Sequence, residues 1–599
     1  MAVYQEEEYS KQFDLTVWKN IFSYTKPFRK LLLAMVFCMV TLAGIDAIFP
    51  FFSGWIIDNV ITPGEIGRLP AFGIFYFSIV AFQGFVIWLF IFISGKVEMG
   101  VCYEIRKKGF QKIQELSFSY FDRTPVGWIM ARMTSDSQRL GEMIAWGLID
   151  LTWGSSLMVI MSIVMIAVNW KLALLTLSVM PVLVGIAIYF QRKILKRYRE
   201  VRKINSKITG SFNEGIRGAV TSKTLVREEE NHKDFKDLTG NMRYSSIRAA
   251  ILSSLFLPAV LSLGAVGTAL ALWYGGNGVA LGTISYGVLV SFIFASVQFF
   301  EPVMELSRVF AQIQYAQASA ERVISLLNTE AEIIDDPRLI SGEEAPEMVG
   351  NVEFKDVGFK YKNGEQVLTG FNLRVKAGEK IALVGETGSG KSTIVNLACR
   401  FYEPTEGSIL IDGVDYRRRT LEWLHSNLGY VLQAPHLFSG TVHDNIRYGN
   451  LEASEDDITR AAELVNAHRF VEKLEKGYDT EVGEGGNLLS TGEKQLISFA
   501  RAILSNPRLF VLDEATSSVD TETEQLIQNA IENVLEGRTS FIIAHRLSTI
   551  KNADRILVIQ NGKIVEEGNH HDLIAAKRYY YKLYTNQFME EEEEKLLHQ

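Results

Sequence analysis

Residues 380–393 read Lys380-Ile381-Ala382-Leu383-Val384-Gly385-Glu386-Thr387-Gly388-Ser389-Gly390-Lys391-Ser392-Thr393. A run that suits a buried strand enters G-x-x-x-x-G-K-S, and a helix is expected from Thr393. Gly385, Gly388 and Gly390 let backbone N–H groups close around phosphate oxygens, and the helix N-terminus adds partial positive charge. Glu386, Thr387 and Ser389 complete the loop. Lys391 is expected to reach the β- and γ-phosphates of a nucleotide, and Ser392 to bind Mg²⁺.

A second strand end fits this loop. Leu509-Phe510-Val511-Leu512 is followed by Asp513-Glu514. Four apolar residues before two acids suit a central parallel strand whose C-terminal end faces the nucleotide. Asp513 is expected to hold Mg²⁺ through water as the partner of Ser392, and Glu514 to polarise the attacking water. Val352–Phe354 and Phe371–Val375 also read as strands. An α/β P-loop nucleotide-binding domain is therefore expected over 351–587. Residues 588–599, with the Glu590–Glu594 run, read as a solvated acidic tail.

Upstream the composition changes. Residues 325–350 are polar, with two prolines and two glycines, and read as a linker. Before them come six apolar runs: Leu31–Ile57, Ala71–Ser94, Met143–Val168, Leu172–Phe190, Ala250–Trp273 and Gly287–Met304. A helix needs ~20 apolar residues to cross the hydrocarbon core. An α-helical six-span transmembrane domain is expected over 31–324, fused to the nucleotide domain. The short loops 58–70, 169–171 and 274–286 hold two basic residues, whereas 95–142 holds eight and 191–249 holds fifteen. Basic segments stay on the cytoplasmic side. Both long segments and both termini are thus expected in the cytoplasm, and the protein in the cytoplasmic membrane. The long segments should continue the spanning helices, each pair linked by a short crossing helix near Tyr120–Trp128 and Ser211–Ala219.

Residues 1–30 are expected to be a tail and an interfacial elbow helix. Phe13, Val17, Trp18, Ile21 and Phe22 fall on one side at helical spacing. Residues 1–12 are acidic and polar, unlike a secretory signal. Within the spans, Asp46, Asp150 and Glu301 each need a partner or a wet cavity, because a carboxylate in hydrocarbon costs roughly 2.5–3.5 kcal/mol. For Asp150 and Glu301, helix–helix hydrogen bonding is as good a reading as a ligand role. Asp46, beside Phe49, Pro50, Phe51 and Phe52, is the best candidate for lining a substrate cavity, with Phe49 and Phe52.

The three cysteines, Cys38, Cys102 and Cys399, are too few and scattered for a disulfide framework or a zinc site. The net charge of −8 gives no sign of nucleic-acid binding.

Together these motifs resemble an ATP-binding-cassette (ABC) exporter half-transporter, over nearly the whole chain to about Gln587. The resemblance rests on motif order. Tyr361 in Gly358-Phe359-Lys360-Tyr361 matches the aromatic that stacks on adenine. Gln433 in Val431-Leu432-Gln433 matches the glutamine that touches Mg²⁺ and faces the membrane domain. Leu489-Ser490-Thr491-Gly492-Glu493 stands where the family has LSGGQ, Ser518-Val519-Asp520 where it has the D-loop, and His545 where a switch histidine meets the γ-phosphate. The resemblance implies ATP and Mg²⁺ as cofactors and a second half-transporter as partner. Each ATP would lie between one chain's phosphate loop and the other's Ser490, Gly492 and Asp520. Glu514 and His545 would be the catalytic pair.

The sequence departs from the family at the signature. A side chain at Thr491 crowds a backbone that approaches phosphate, and the Glu493 carboxylate is repelled by a triphosphate. With Glu514 and His545 intact, this resembles the hydrolysing chain of a heterodimer, whose partner brings a good signature and a poor catalytic carboxylate. The other reading is a homodimer that tolerates Thr491 and Glu493. The implied function is ATP-driven export of amphipathic drugs or lipids by alternating access. An ATP-gated or lipid-flipping membrane protein, and a siderophore-type importer on the same fold, are the alternatives.

Overall fold

A computed structural model of the chain describes residues 15–299, 301–336, 338–339, 346–362, 364, 366–513, 521–543 and 547–585. The acidic tail lies outside this range. The chain divides into two compact units, one of residues up to Leu116 with Thr124–Glu330, the other of Ser117–Arg123 with residues from Ala331 onward.

The first unit is helical throughout its described residues. Its long helices are Arg29–Ile56, Leu69–Glu115, Leu148–Leu177, Met180–Arg217, Glu228–Ala280, Tyr286–Phe299 and Glu301–Asn328. At about 1.5 Å per residue, helices of 47 and 53 residues are more than twice a bilayer core in length, so spanning helices do continue well beyond hydrocarbon. Large apolar side chains such as Phe37, Ile74 and Phe77 are exposed on them, as a lipid-facing surface requires.

Five helical stretches among the described residues are long and apolar enough to cross a membrane. The fourth run of the six is not one of them. Its helix starts beyond Asn169, whose backbone is non-helical and whose Oδ1 accepts the Leu172 N–H at 3.1 Å. It then breaks between Leu177 and Met180. Pro181 at the start of the next helix has no N–H to carry the ladder on. The run is thus two helical pieces, 170–177 and 180–190, rather than one rod.

Close packing here depends on small residues. A Cβ at Gly54 would lie 2.2 Å from the Gly287 carbonyl oxygen, so the Arg29–Ile56 and Tyr286–Phe299 helices meet backbone to backbone. Asp58 secures the junction by accepting the Gly287 N–H at 2.7 Å and the Ser285 hydroxyl at 2.5 Å. Asp150 accepts a hydrogen bond from Arg308 at 3.1 Å, an ion pair between helices, whereas Glu301 is exposed. Buried Asp136 accepts from Arg322 at 2.6 and 2.7 Å and from Ser319 at 2.8 Å, the pairing that a buried charge requires.

The elbow helix is Leu15–Ser23. Trp18 and Ile21 are buried with Met35, Ile144 and Ala316, while Phe22 is exposed. Phe13 lies outside the described residues.

The crossing helices differ from their expected positions. The first is Phe118–Arg123, followed at Val126 by a separate helix. The second is Ala219–Thr224. Residues 211–217, expected to be part of it, instead continue the Met180–Arg217 helix, which stops only at Gly218. Gly215 lies inside a formed helix and does not break it, because glycine costs a helix only about 1 kcal/mol.

The second unit carries two sheets. Strands β1 (Val352–Lys360), β2 (Gln366–Val375), β4 (Glu406–Ile411) and β5 (Val414–Asp415) form an antiparallel sheet in the order β2-β1-β4-β5. Strands β3 (Lys380–Val384), β6 (Leu428–Val431), β7 (Leu509–Asp513), β8 (Thr539–Ile543), β9 (Arg555–Gln560) and β10 (Lys563–Gly568) form a second sheet, ordered β10-β9-β3-β8-β7-β6. Strands β9, β3, β8, β7 and β6 are parallel, and β10 closes the edge antiparallel. Alternation at period 2 splits the apolar residues between two cores. Ala382, Val384, Phe510 and Leu512 face the helices of residues 442–535, and Ile381, Leu383, Leu509 and Val511 face the antiparallel sheet. A parallel strand buried on both faces has to be apolar throughout, which is what β3 and β7 are.

Candidate nucleotide site

Sheet register gathers the chemistry at one edge. Leu383 pairs with Ile543, Asp513 with Ile543, and Val431 with Leu512. The C-terminal ends of β3, β8, β7 and β6 therefore lie side by side, where ligands bind in an open α/β sheet. The phosphate loop leaves β3, Asp513 ends β7, and Leu432-Gln433 follows β6 with Gln433 exposed. Glu514, Asp520 and His545 lie outside the described residues; in the chain they follow β7 and β8.

The loop itself is built on left-handed backbone. Gly385, Gly388 and Gly390 have φ of 154°, 84° and 106°. At Gly385 a Cβ would also lie 2.2 Å from the Ile559 carbonyl oxygen, so only glycine fits. Gly390 is the N-cap of the Lys391–Ala398 helix and supplies no capping side chain, leaving first-turn N–H groups for an outside acceptor. The Ser389 hydroxyl is buried and has no hydrogen-bond partner among the described residues, which a phosphate oxygen would repair. Lys391 folds back onto the loop and donates to the carbonyl oxygens of Gly385 at 2.7 Å and Glu386 at 2.9 Å. Burial lowers its ammonium pKa below the usual lysine range, against the opposing charge of Asp513. An incoming anion would offer Lys391 a better partner than two carbonyls. Ser392 is exposed and Thr393 buried, its Oγ1 3.0 Å from the Tyr361 hydroxyl. Tyr361 also meets Phe359 and Tyr402 edge to face. Thr387 is exposed, and Glu386 accepts from the Tyr579 hydroxyl at 3.0 Å, a link between distant parts of the chain that sequence reading misses.

The signature segment forms a helix N-terminus. Ser490 caps the Thr491–Leu504 helix in a reciprocal capping box: Ser490 Oγ accepts the Glu493 N–H at 3.3 Å and Glu493 Oε2 accepts the Ser490 N–H at 2.8 Å. Ser-x-x-Glu is the pattern for this box, so the signal was present at 490–493 and went unread. The Glu493 carboxylate lies at the positive end of its own helix, and Gly492 is buried beside it. Thr491 is exposed.

The expected substrate-cavity trio lies on the Arg29–Ile56 helix. Asp46 accepts hydrogen bonds from Gln83 at 2.9 Å and from Trp153 at 3.0 Å, tying three helices together. Phe49 meets Tyr76 edge to face and Phe52 contacts Phe75. All three side chains are only half-buried, so these contacts tie the helices together while part of each side chain stays exposed. A hydrogen-bonded partner more than thirty residues away leaves no local trace in sequence.

Residues 32–303 match the ABC transporter transmembrane region, and residues 368–517 match the ABC transporter family. The chain belongs to the ABC transporters, as an exporter-type, ATP-hydrolysing half-transporter and a multi-pass membrane protein. It is 36% identical, over 95% of its own length and 94% of the relative's, to YknV of Bacillus subtilis (strain 168), named an uncharacterized ABC transporter ATP-binding protein. It is 33% identical to the ATP-dependent lipid A-core flippase of Desulfotalea psychrophila, over 95% of this chain and 99% of that one. It is 37% identical to the probable multidrug resistance ABC transporter ATP-binding/permease protein YheH of Bacillus subtilis, over 81% of this chain and 72% of that one.

Proposed function

We propose that this chain is one half of a dimeric exporter that moves amphipathic drug- or lipid-like molecules out across the cytoplasmic membrane. Its termini and nucleotide domain lie on the cytoplasmic side. The observation that carries this is the phosphate cradle of residues 385–392, with its orphaned Ser389 hydroxyl, beside Asp513 at the end of β7. Relatives named for lipid flipping and for multidrug resistance support the substrate class.

In this reading the loop N–H groups and Lys391 hold the triphosphate, Thr387 and Thr393 flank it, and Tyr361 stacks on adenine. Ser392, Gln433 and Asp513 supply oxygen ligands of the hard kind Mg²⁺ takes, and the bound ion would neutralise phosphate charge. Glu514 orients and polarises the attacking water, and His545 contacts the γ-phosphate. Ser490, Gly492 and Asp520 serve the nucleotide bound to the partner chain. Binding at two shared sites draws the nucleotide domains together, and hydrolysis releases them, switching the membrane halves between two states.

Two unpartnered surfaces support the dimer. Around the second crossing helix, Ile216, Val220, Leu225 and Val226 are 75%, 79%, 64% and 82% exposed. The second unit has a groove of about 660 Å³ beside Gln433, lined by Leu432, Phe438, Tyr448 and Arg501. We propose that each chain's second crossing helix fills the other chain's groove. Within the dimer, a heterodimer is favoured by Glu493: a carboxylate fixed at the signature helix N-terminus competes with phosphate for that end.

Replacing Glu514 by Gln tests the catalytic reading. ATP binding should persist while steady-state ATPase falls about a hundredfold to ten-thousandfold, the usual worth of a positioned acid or base. An undiminished rate removes Glu514 from catalysis. T491G/E493Q tests the pairing, because Gln keeps the capping box and removes only the charge. A heterodimer predicts little gain, since the site so restored still lacks the partner's acid. A clear rate increase, together with a single intact mass for the complex, establishes a homodimer.

A further inference from the structure

The Met180–Arg217 and Glu228–Ala280 helices pack together, and their charge changes at matching levels. Residues 172–191 carry no charge, whereas 192–203 hold seven basic residues and one acid. On the second helix Arg248 is the last charge before an uncharged stretch that runs to Ala280. The border between hydrocarbon and water therefore runs past residues 191 and 249.

A cavity of about 380 Å³ opens at that border, lined by Lys193, Lys196, Arg197 and Arg248. Its apolar wall, Ile251, Leu252 and Leu255, lies on the uncharged side. Of the four cations, only Arg197 has a carboxylate partner among the described residues, Glu200 at 2.9 Å. Lys193 and Arg248 lie over the rings of Tyr189 and Tyr244, 4.4 and 4.3 Å from their centroids. Lys196 pairs with no carboxylate among the described residues. Side chains from the other face of this helix pair, such as Ile194, Tyr198 and Phe256, line a different cavity with Met304 and Arg308. Among the described side chains, none of the Glu301–Asn328 helix lines the cationic cavity.

Three cations that no described carboxylate neutralises, Lys193 bonded instead to the Tyr189 hydroxyl, stand in a concave site with an apolar wall on the membrane side, and this matches one occupant in both halves. We infer that this cavity binds the phosphate headgroup of an anionic phospholipid from the cytoplasmic leaflet, with an acyl chain against Ile251, Leu252 and Leu255. A basic pocket between membrane helices on the cytoplasmic side recognises lipid in this way. The inference rests on the proposed cytoplasmic side of residues 191–249.

The test uses the full transporter, purified with whatever second chain accompanies it. Native mass spectrometry measures retention of phosphatidylglycerol against phosphatidylcholine. The unaltered protein should favour phosphatidylglycerol. K193Q/K196Q/R248Q should lower that retention on the order of a hundredfold, at about fivefold per cation. Its ATPase in phosphatidylcholine nanodiscs should remain that of the unaltered protein, since none of the three residues belongs to the nucleotide site. A photoactivatable phosphatidylglycerol should cross-link unaltered protein within residues 189–255, a readout that does not depend on the variant folding. Undiminished retention, cross-links elsewhere, or displacement of the lipid by millimolar inorganic phosphate would each overturn the assignment. Labelling of Ser206→Cys in right-side-out vesicles tests the side separately. The native cysteines are buried, so a label taken up from outside overturns the cytoplasmic placement itself.

Discussion

The two crossing helices join the same kinds of element, yet their surroundings are opposite. Phe118–Arg123 lies between two membrane helices in the chain but belongs to the unit that carries the nucleotide site. Phe118 stacks on Phe401 with centroids 4.2 Å apart, and Arg123 pairs with Glu332 at 2.6 Å. Ser117 Oγ accepts the N–H groups of Glu332 and Ile333 at 3.0 and 3.1 Å, and Tyr402 bonds Asp122. Ala219–Thr224 has no buried residue, and its apolar side chains face outward. One helix finds its seat within its own chain. The other presents the same apolar chemistry with no described residue covering it, as an interface surface does. The difference is what the proposed dimer accounts for: one crossing is satisfied within the chain and the other is left for the partner.

The sharpest way to break this comparison is to charge the open helix. Val220→Asp should cost at least tenfold in transport and in substrate-stimulated ATPase, because burying a carboxylate against Leu432, Phe438 and Tyr448 costs several kcal/mol in desolvation. The melting temperature of the separated chain should not move, since Val220 is 79% exposed there. Full transport by V220D would mean that this helix docks on nothing.

A smaller effect is expected at the satisfied helix. Phe118→Ala removes one aromatic pair, worth about 0.5–1.5 kcal/mol beyond its buried area. Transport should fall several-fold with ATPase retained, and the loss should appear equally in melting of the separated chain. An effect seen only in the assembled transporter would erase the contrast between the two crossings.

The smallest effect concerns pH. Burial pushes the Glu332 carboxyl up, but hydrogen bonds from Lys362 and Arg123 outweigh it and hold it at about 2, below its ordinary 4.5. A depressed carboxyl stabilises the fold fully above its unfolded value and loses that contribution as pH falls from 4.5 towards 2. Partial exposure keeps the amount small. Melting curves of the native protein and Glu332→Gln should therefore differ slightly at neutral pH and converge over that acidic window. A constant difference would remove Glu332 as the titrating tie.

What could be read in advance divides along the same physical line. The first crossing helix, expected at Tyr120–Trp128 across Pro125, starts two residues earlier and ends five residues earlier, before that proline. The second lies about two turns further on than its expected position. Gly215 and Gly218 are alike in sequence, and only the formed helix chose between them. The broken fourth run shows the same limit, for hydropathy counts residues and is blind to the missing N–H of Pro181. The Ser490–Glu493 box is legible from the Ser-x-x-Glu spacing alone, because both of its halves lie within one helical turn.

By itself, the sequence determined the two-part organisation, the helical membrane region, the β3-loop-helix phosphate cradle and the acidic end of β7. Each of these follows from a period, a run length or a glycine at a fixed offset, and such signals are local. Tertiary structure alone decided that Asp46 ties helices through Gln83 and Trp153, and that Ser117–Arg123 joins the nucleotide unit. It alone left four cations around one cavity at the membrane border. These depend on partners tens to hundreds of residues apart. No window on the chain contains both halves of such a contact, and only folding brings the two halves to one place.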